Sequence, residues 1–132
     1  MDSFEECIEA LGEQAIILEN KEIQELVTDK MEKSFPITSW GRINWEKVNK
    51  KITIQSVYDL IPLLKKTEKK VAEPIYIVWD DAGIPLIKSK LEPIIKNIDD
   101  VTAVSFDTWL YCPSEGWIVE FHHDGEITLG FE

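Results

Sequence analysis

Between Trp117 and Phe131 the chain alternates apolar and polar residues on both sides of an Asp124-Gly125 pair. That pattern leaves one hairpin register. Asp-Gly between two alternating runs is a turn signal. A two-residue loop pairs His123 with Glu126, and hence Phe121 with Thr128 and Val119 with Gly130. The apolar residues of the two strands then fall on opposite faces. A three-residue loop, His123 to Gly125, pairs Phe121 with Ile127, Val119 with Leu129 and Trp117 with Phe131. A slip of one residue flips every side chain, so a single buried face selects the three-residue loop. Gly125 then supplies the left-handed residue of a bulge. Ile118, Glu120 and His122, beside Thr128 and Gly130, are expected to point outward.

Charge sharpens the reading of that outer face. Asn97 to Glu132 holds eight carboxylates and no Lys or Arg. The net charge of −11 is uneven: residues 1–72 carry thirteen acids and eleven bases, residues 73–132 twelve and three. Such a half repels nucleic acid and anionic membranes and attracts basic partners. Direct nucleic-acid binding is not expected on this ground. The 132 residues, 44% of them apolar, suffice for one domain with its own core, and disorder is excluded. Cys7 and Cys112 lie far apart without metal-ligand spacing, as two free thiols of a reducing compartment would. The acidic start MDSFEECIEALGEQ has no signal-peptide pattern, and no window approaches twenty apolar residues. A soluble cytoplasmic protein is expected.

Taken in order, Ser3 and Glu6 form a capping box opening a short helix with Phe4, Ile8 and Leu11 on one face, stopped by Gly12. Ala15 to Leu18 is an edge strand. Asn20 caps a second helix, in which Ile23, Leu26, Val27 and Met31 fall at helical spacing. It ends before Pro36. Trp40 to Trp45 is a loop or short extended segment whose two tryptophans either anchor a long connection on the core, the reading preferred here, or form a contact patch. Ser56 starts another helical segment with Val57, Leu60, Ile61 and Leu64 inward, which Pro62 should kink or restrict to short turns. Lys65 to Lys70 is a basic surface loop. Ile75 to Trp79 is a buried strand. Ser89 and Glu92 form a third capping box, opening a helix with Leu91, Ile94, Ile95 and Ile98 inward and Pro93 tolerated in its first turn. Val101 to Tyr111 reads as the next strand, so strand, helix and strand predict a crossover joining parallel neighbours. The expected fold class is α+β, over residues 1–132 as one domain. Its sheet is mixed and mostly antiparallel, ends in a C-terminal three-stranded meander, and has helices mainly on one face.

Catalytic and metal signatures are missing. Asp80-Asp81 and His122-His123 are adjacent pairs, and on extended chain neighbours diverge. A zinc site needs three or four convergent ligands, so neither a metal nor another cofactor is expected. There is no nucleophile elbow and no phosphate-cradling glycine loop. The chain is therefore not expected to be an enzyme.

Several segments together resemble the bacterial immunity proteins of contact-dependent growth inhibition. They are Phe4-Glu5-Glu6-Cys7 with Ala10-Leu11; Asp80-Asp81-Ala82 with Ile84-Pro85; Lys88 with Leu91; and Asn97-Ile98, Asp100-Val101-Thr102-Ala103 and Ser105. The resemblance implies a small cytosolic inhibitor, monomeric and bound 1:1 to the C-terminal toxin domain of a large secreted effector. Such toxins are frequently nucleases, often attacking tRNA. An acidic sheet face suits a basic nuclease cleft, so Asp107, Glu115, Ile118, Glu120, His122, Asp124 and Glu126 are the expected toxin contacts. The alternatives are an acidic adaptor module for a basic protein partner and a small metal-dependent hydrolase using Asp80, Asp81 or His122.

Overall fold

The computed structural model describes residues 1–132. Seven strands form one sheet: β1 (Ile16–Leu18), β2 (Lys50–Ile54), β3 (Ile75–Trp79), β4 (Leu86–Ser89), β5 (Thr108–Cys112), β6 (Trp117–Phe121) and β7 (Ile127–Phe131). Their order across the sheet is β1-β4-β3-β5-β6-β7-β2, and every neighbouring pair is antiparallel. Five helices accompany them: α1 (Ser3–Leu11), α2 (Lys21–Ser34), α3 (Leu60–Lys66), α4 (Leu91–Lys96) and α5 (Ile98–Thr102). The α+β class and the β5-β6-β7 meander are as the sequence predicts.

Period-two alternation divides the sheet into two faces. Ile75, Ile77, Trp79, Ile87, Leu110, Trp117, Val119, Phe121, Leu129 and Phe131 point to one side and join a cluster of 21 buried residues. Cys7 and Leu11 of α1, Leu60 and Leu64 of α3, Leu91, Ile94 and Ile95 of α4 and Val101 of α5 close over them. Each fully buried aliphatic side chain here contributes roughly 1.5–3 kcal/mol. A buried hydrogen bond from Trp79 Nε1 to the Val101 carbonyl, 3.0 Å, fixes α5 against β3. The opposite face carries Val78, Leu86, Trp109, Tyr111 and Ile118, covered by Met31 of α2 and by Phe35, Ile43 and Val48 of the connection that follows it. Four helices thus lie on one face and one on the other. The second face is not open at its centre, contrary to expectation.

The C-terminal register is the predicted one: Trp117 pairs with Phe131, Val119 with Leu129 and Phe121 with Ile127. Gly125 takes φ +95°, in the left-handed region that lets the three-residue loop close. His122 N–H donates to the Glu126 carbonyl at the last rung.

Several local expectations are corrected. Asp2, not Ser3, caps α1, its carboxylate accepting from Glu5 N–H at 2.8 Å. Ser89 belongs to strand β4 and caps nothing; Lys90 occupies the cap position of α4. Residues 101–107 are the end of α5 and a bend rather than strand, which starts only at Thr108. The parallel pairing does not form. β4, unseen in the sequence, folds back on β3 through the Asp80 to Pro85 turn, so the chain leaves for α4 already reversed. It returns as β5 on the free side of β3, running antiparallel to it. β2 was also missed. Its sequence, KKITI, has one buried residue, Ile54, because it is the outer edge of the sheet. In α2, Val27 and Met31 pack inward, while Ile23 and Leu26 are exposed.

Candidate functional site

The hairpin end of the meander gathers most of the side chains to which the charge pattern points, in two connected groups. The first surrounds Glu120. Expected on an exposed face, it is 1% exposed. Its Oε1 accepts from Arg42 Nε and Trp45 Nε1, each at 3.0 Å. Its Oε2 accepts from Ile43 N–H at 2.8 Å and Trp109 Nε1 at 3.0 Å. Four donors fill the lone-pair sites of one carboxylate, which is the condition for keeping such a charge out of water. Ile118, also expected outside, is wholly buried in the same layer. Both are corrections with one cause. The connection between α2 and β2 lies across this face, and nothing in the meander's own sequence reveals it.

Local chemistry shapes that connection. Pro36 ends the run after α2, and Ile37 bridges Ile43. Thr38 and Arg42 close the turn between them through the Thr38 Oγ1 to Arg42 carbonyl bond, 2.8 Å, with Gly41 at φ +86°. This aims Arg42 at Glu120 and, through Nη2, at Glu126, 2.6 Å away. Burial disfavours the guanidinium charge, but the hydrogen bonds and charges of Glu120 and Glu126 outweigh it, and the Arg42 pKa is raised. Trp45 packs over Gly130, where a Cβ would sit 2.6 Å from the ring. Trp45 therefore anchors the connection as expected, while Trp40 projects into solvent at 78% exposure.

The second group lies where β3 ends, β5 begins and β6 turns into β7. Asp80 Oδ1 accepts from Ser105 Oγ at 2.6 Å and from Asp107 N–H at 3.1 Å. Asp107, itself 7% exposed, accepts the His123 N–H on Oδ1 at 2.8 Å, and His123 Nδ1 lies 3.0 Å from the same oxygen. His122 Nδ1 is 3.0 Å from Asp124 Oδ1. The two imidazoles do not diverge as extended chain requires. Their centroids are 4.1 Å apart and the rings tilted by 34°, because the bulged turn starts at His123 and swings its side chain back. Asp107, His122 and His123 consequently offer ligand atoms all within 4.8 Å of one another. The geometric premise for expecting no metal here therefore fails.

The remaining candidates separate. Glu115 sits at the far end of β6, where its carboxylate accepts from the Lys70 N–H of the basic loop. Asp124 and Glu126 are exposed at the turn, and the Asp124 carboxyl is held below its ordinary range by the Glu126 N–H and by His122. Asp81 caps its own turn by accepting from Gly83 N–H at 2.8 Å. Asp80 and Asp81 thus act as turn fasteners, the structural role their sequence context suggests. The residue that sequence reasoning missed is Arg42. Its only signal was being the single arginine of the chain, in a stretch between two tryptophans.

No curated protein matches the sequence at a significant level. The family described as CdiI immunity protein, EcoliA0-like, matches residues 1–130. With nearly its whole length in that match, the chain belongs to the CdiI family of immunity proteins.

Proposed function

We propose that the toxin neutralised by this immunity protein is a basic nuclease domain, bound directly and 1:1, with the hairpin end of the meander in the interface. Family membership supports an inhibitor of a cognate toxin rather than an enzyme. The charge distribution supports the finer reading: the half of the chain that forms the sheet centre carries twelve acids against three bases. A nuclease cleft is cationic because it holds phosphates, and complementary charge speeds encounter and rejects wrong partners. The cytoplasm, where tRNA is attacked, is the place of action that this reading implies. No helix here is long and apolar enough to cross a membrane.

Within the expected contact set, the exposed members do the touching: Asp124 and Glu126 at the turn, with His122 beside them and Glu115 at the other end. Asp107, Ile118 and Glu120 act from beneath by holding the turn and the Arg42 loop in place. Trp40 adds an aromatic anchor, since its turn is tied to Glu126 through Arg42, and exposed tryptophans are frequent hot spots. The observation that carries the reading is this acidic turn, tied through Arg42 to the loop that carries the exposed Trp40.

Co-expression with the toxin domain of the adjacent effector tests it. Growth should be restored, and the purified pair should co-elute. Asp124→Lys with Glu126→Lys should slow association at low salt, whereas Glu5→Lys with Glu25→Lys should not. A toxin still active at saturating inhibitor would end the proposal. Salt-sensitive binding to many unrelated basic proteins would favour an acidic adaptor instead.

A further inference from the structure

The geometry points to a divalent transition-metal site of zinc type, built from Asp107, His122 and His123 at the β6–β7 turn. The inference rests on this cluster alone and is independent of which toxin the protein binds. Two imidazoles and a carboxylate converge, with one ligand atom from each within 4.8 Å of the others. Ligands sharing a tetrahedral zinc at about 2.1 Å stand about 3.4 Å apart. The cluster therefore needs a closure of little more than an ångström. His123, whose side chain is 56% exposed, has the freedom to supply it.

The rest of the cluster is already fixed. Asp107 is buried, its backbone N–H is bound by Asp80, and its Oδ1 is bound by the His123 N–H. A carboxylate held on one oxygen leaves the other for a cation. His122 Nδ1 lies against Asp124 Oδ1 at 3.0 Å. With Nδ1 engaged by Asp124, through its carboxylate and its backbone N–H, Nε2 is the nitrogen left for a metal, and a carboxylate against the other ring nitrogen is the usual outer-shell arrangement of metal-bound histidine. Two nitrogen donors select zinc-like ions over Mg2+ and Ca2+, which take oxygen shells. Three protein ligands leave one position for water on the exposed side, where Phe106 borders His123 with ring centroids 6.2 Å apart.

Titration calorimetry of the chelator-stripped full chain with ZnCl2 tests the site. We expect one zinc per chain with a Kd on the order of 1 μM or tighter, and Mg2+ and Ca2+ at least 100-fold weaker. His122→Gln and His123→Gln should each weaken zinc at least about 10-fold while circular dichroism and melting without metal stay unchanged. Asp124→Asn, the outer-shell change, should weaken it about 10-fold. Asp107→Asn should also weaken it, but it loosens the turn, so the histidine variants carry the decision. Asp81→Asn, a carboxylate outside the cluster, should have no effect. Absence of saturable zinc binding, or equal binding by wild type and both histidine variants, would overturn the proposal. The latter outcome would mark diffuse attraction to an acidic surface.

Discussion

The two faces of the sheet are held by different physics. On one, 21 buried residues meet under four helices with no buried ion pair among them. On the other, nine buried hydrophobic residues share the layer with the Glu120 carboxylate, and two of them, Ile43 and Trp109, are among its four donors. Dispersion and hydrophobic transfer tolerate many arrangements of similar volume. A buried carboxylate tolerates one, because each unmatched donor costs the full desolvation of that group. The apolar face therefore carries most of the stability, and the polar face specifies where the α2–β2 connection must lie.

The largest test of that contrast is Glu120→Ala. It leaves Arg42, Ile43, Trp45 and Trp109 donors without their acceptor and should cost about 3–5 kcal/mol, read by denaturant unfolding. Glu120→Lys should not fold at all, so Glu120 cannot serve as a surface probe of toxin binding. Leu110→Ala on the apolar face should cost about 2–5 kcal/mol by cavity formation, with the Arg42 loop left in place. If Glu120→Ala cost less than about 1 kcal/mol, the polar face would be no organiser. Next in size is Gly130→Ala. The added methyl meets the Trp45 ring, and displacing it should cost about 1–3 kcal/mol and disturb Trp45 fluorescence.

Cys7 tests the apolar face by pH. Burial first, and Asp100 second, push its thiol up to about 11. The neutral thiol is thus favoured in the folded chain. Its contribution is complete below the unfolded value near 9 and is lost as pH climbs from 9 toward 11. At pH 10 the loss should be about 1 kcal/mol, and Cys7→Ala should show a shallower alkaline decline in melting temperature. The smallest effect is expected of Glu126→Gln. Its pair with Arg42 is exposed, so stability should change by less than about 1 kcal/mol while toxin association slows. A large loss of stability would mean that the outer rim shares the organising role of Glu120.

Much of this molecule was legible because its signals are local. The β6–β7 register follows from one turn and one apolar face, and Asn20, Gly12 and Ser56 mark helix ends through bonds to residues within a few positions. Short strands were not legible. β4 has four residues, and β2 has one buried residue in five, so neither shows enough period-two pattern to be distinguished from loop. Missing β4 alone produced the parallel crossover. At the candidate site, the sequence selected Glu120 and His122 by charge and register and misjudged both surroundings.

The sequence by itself determined the family resemblance, the α+β class, the C-terminal register and the excess of acid in the second half. These depend on composition and on residues close in the chain. Only the tertiary structure decided which carboxylates face water. The counter-charge of Glu120 comes from Arg42, 78 positions away, and Asp107 meets His123 across two strands. Burial and electrostatic partnership are properties of the space around a group, and that space is filled by segments that local pattern cannot place.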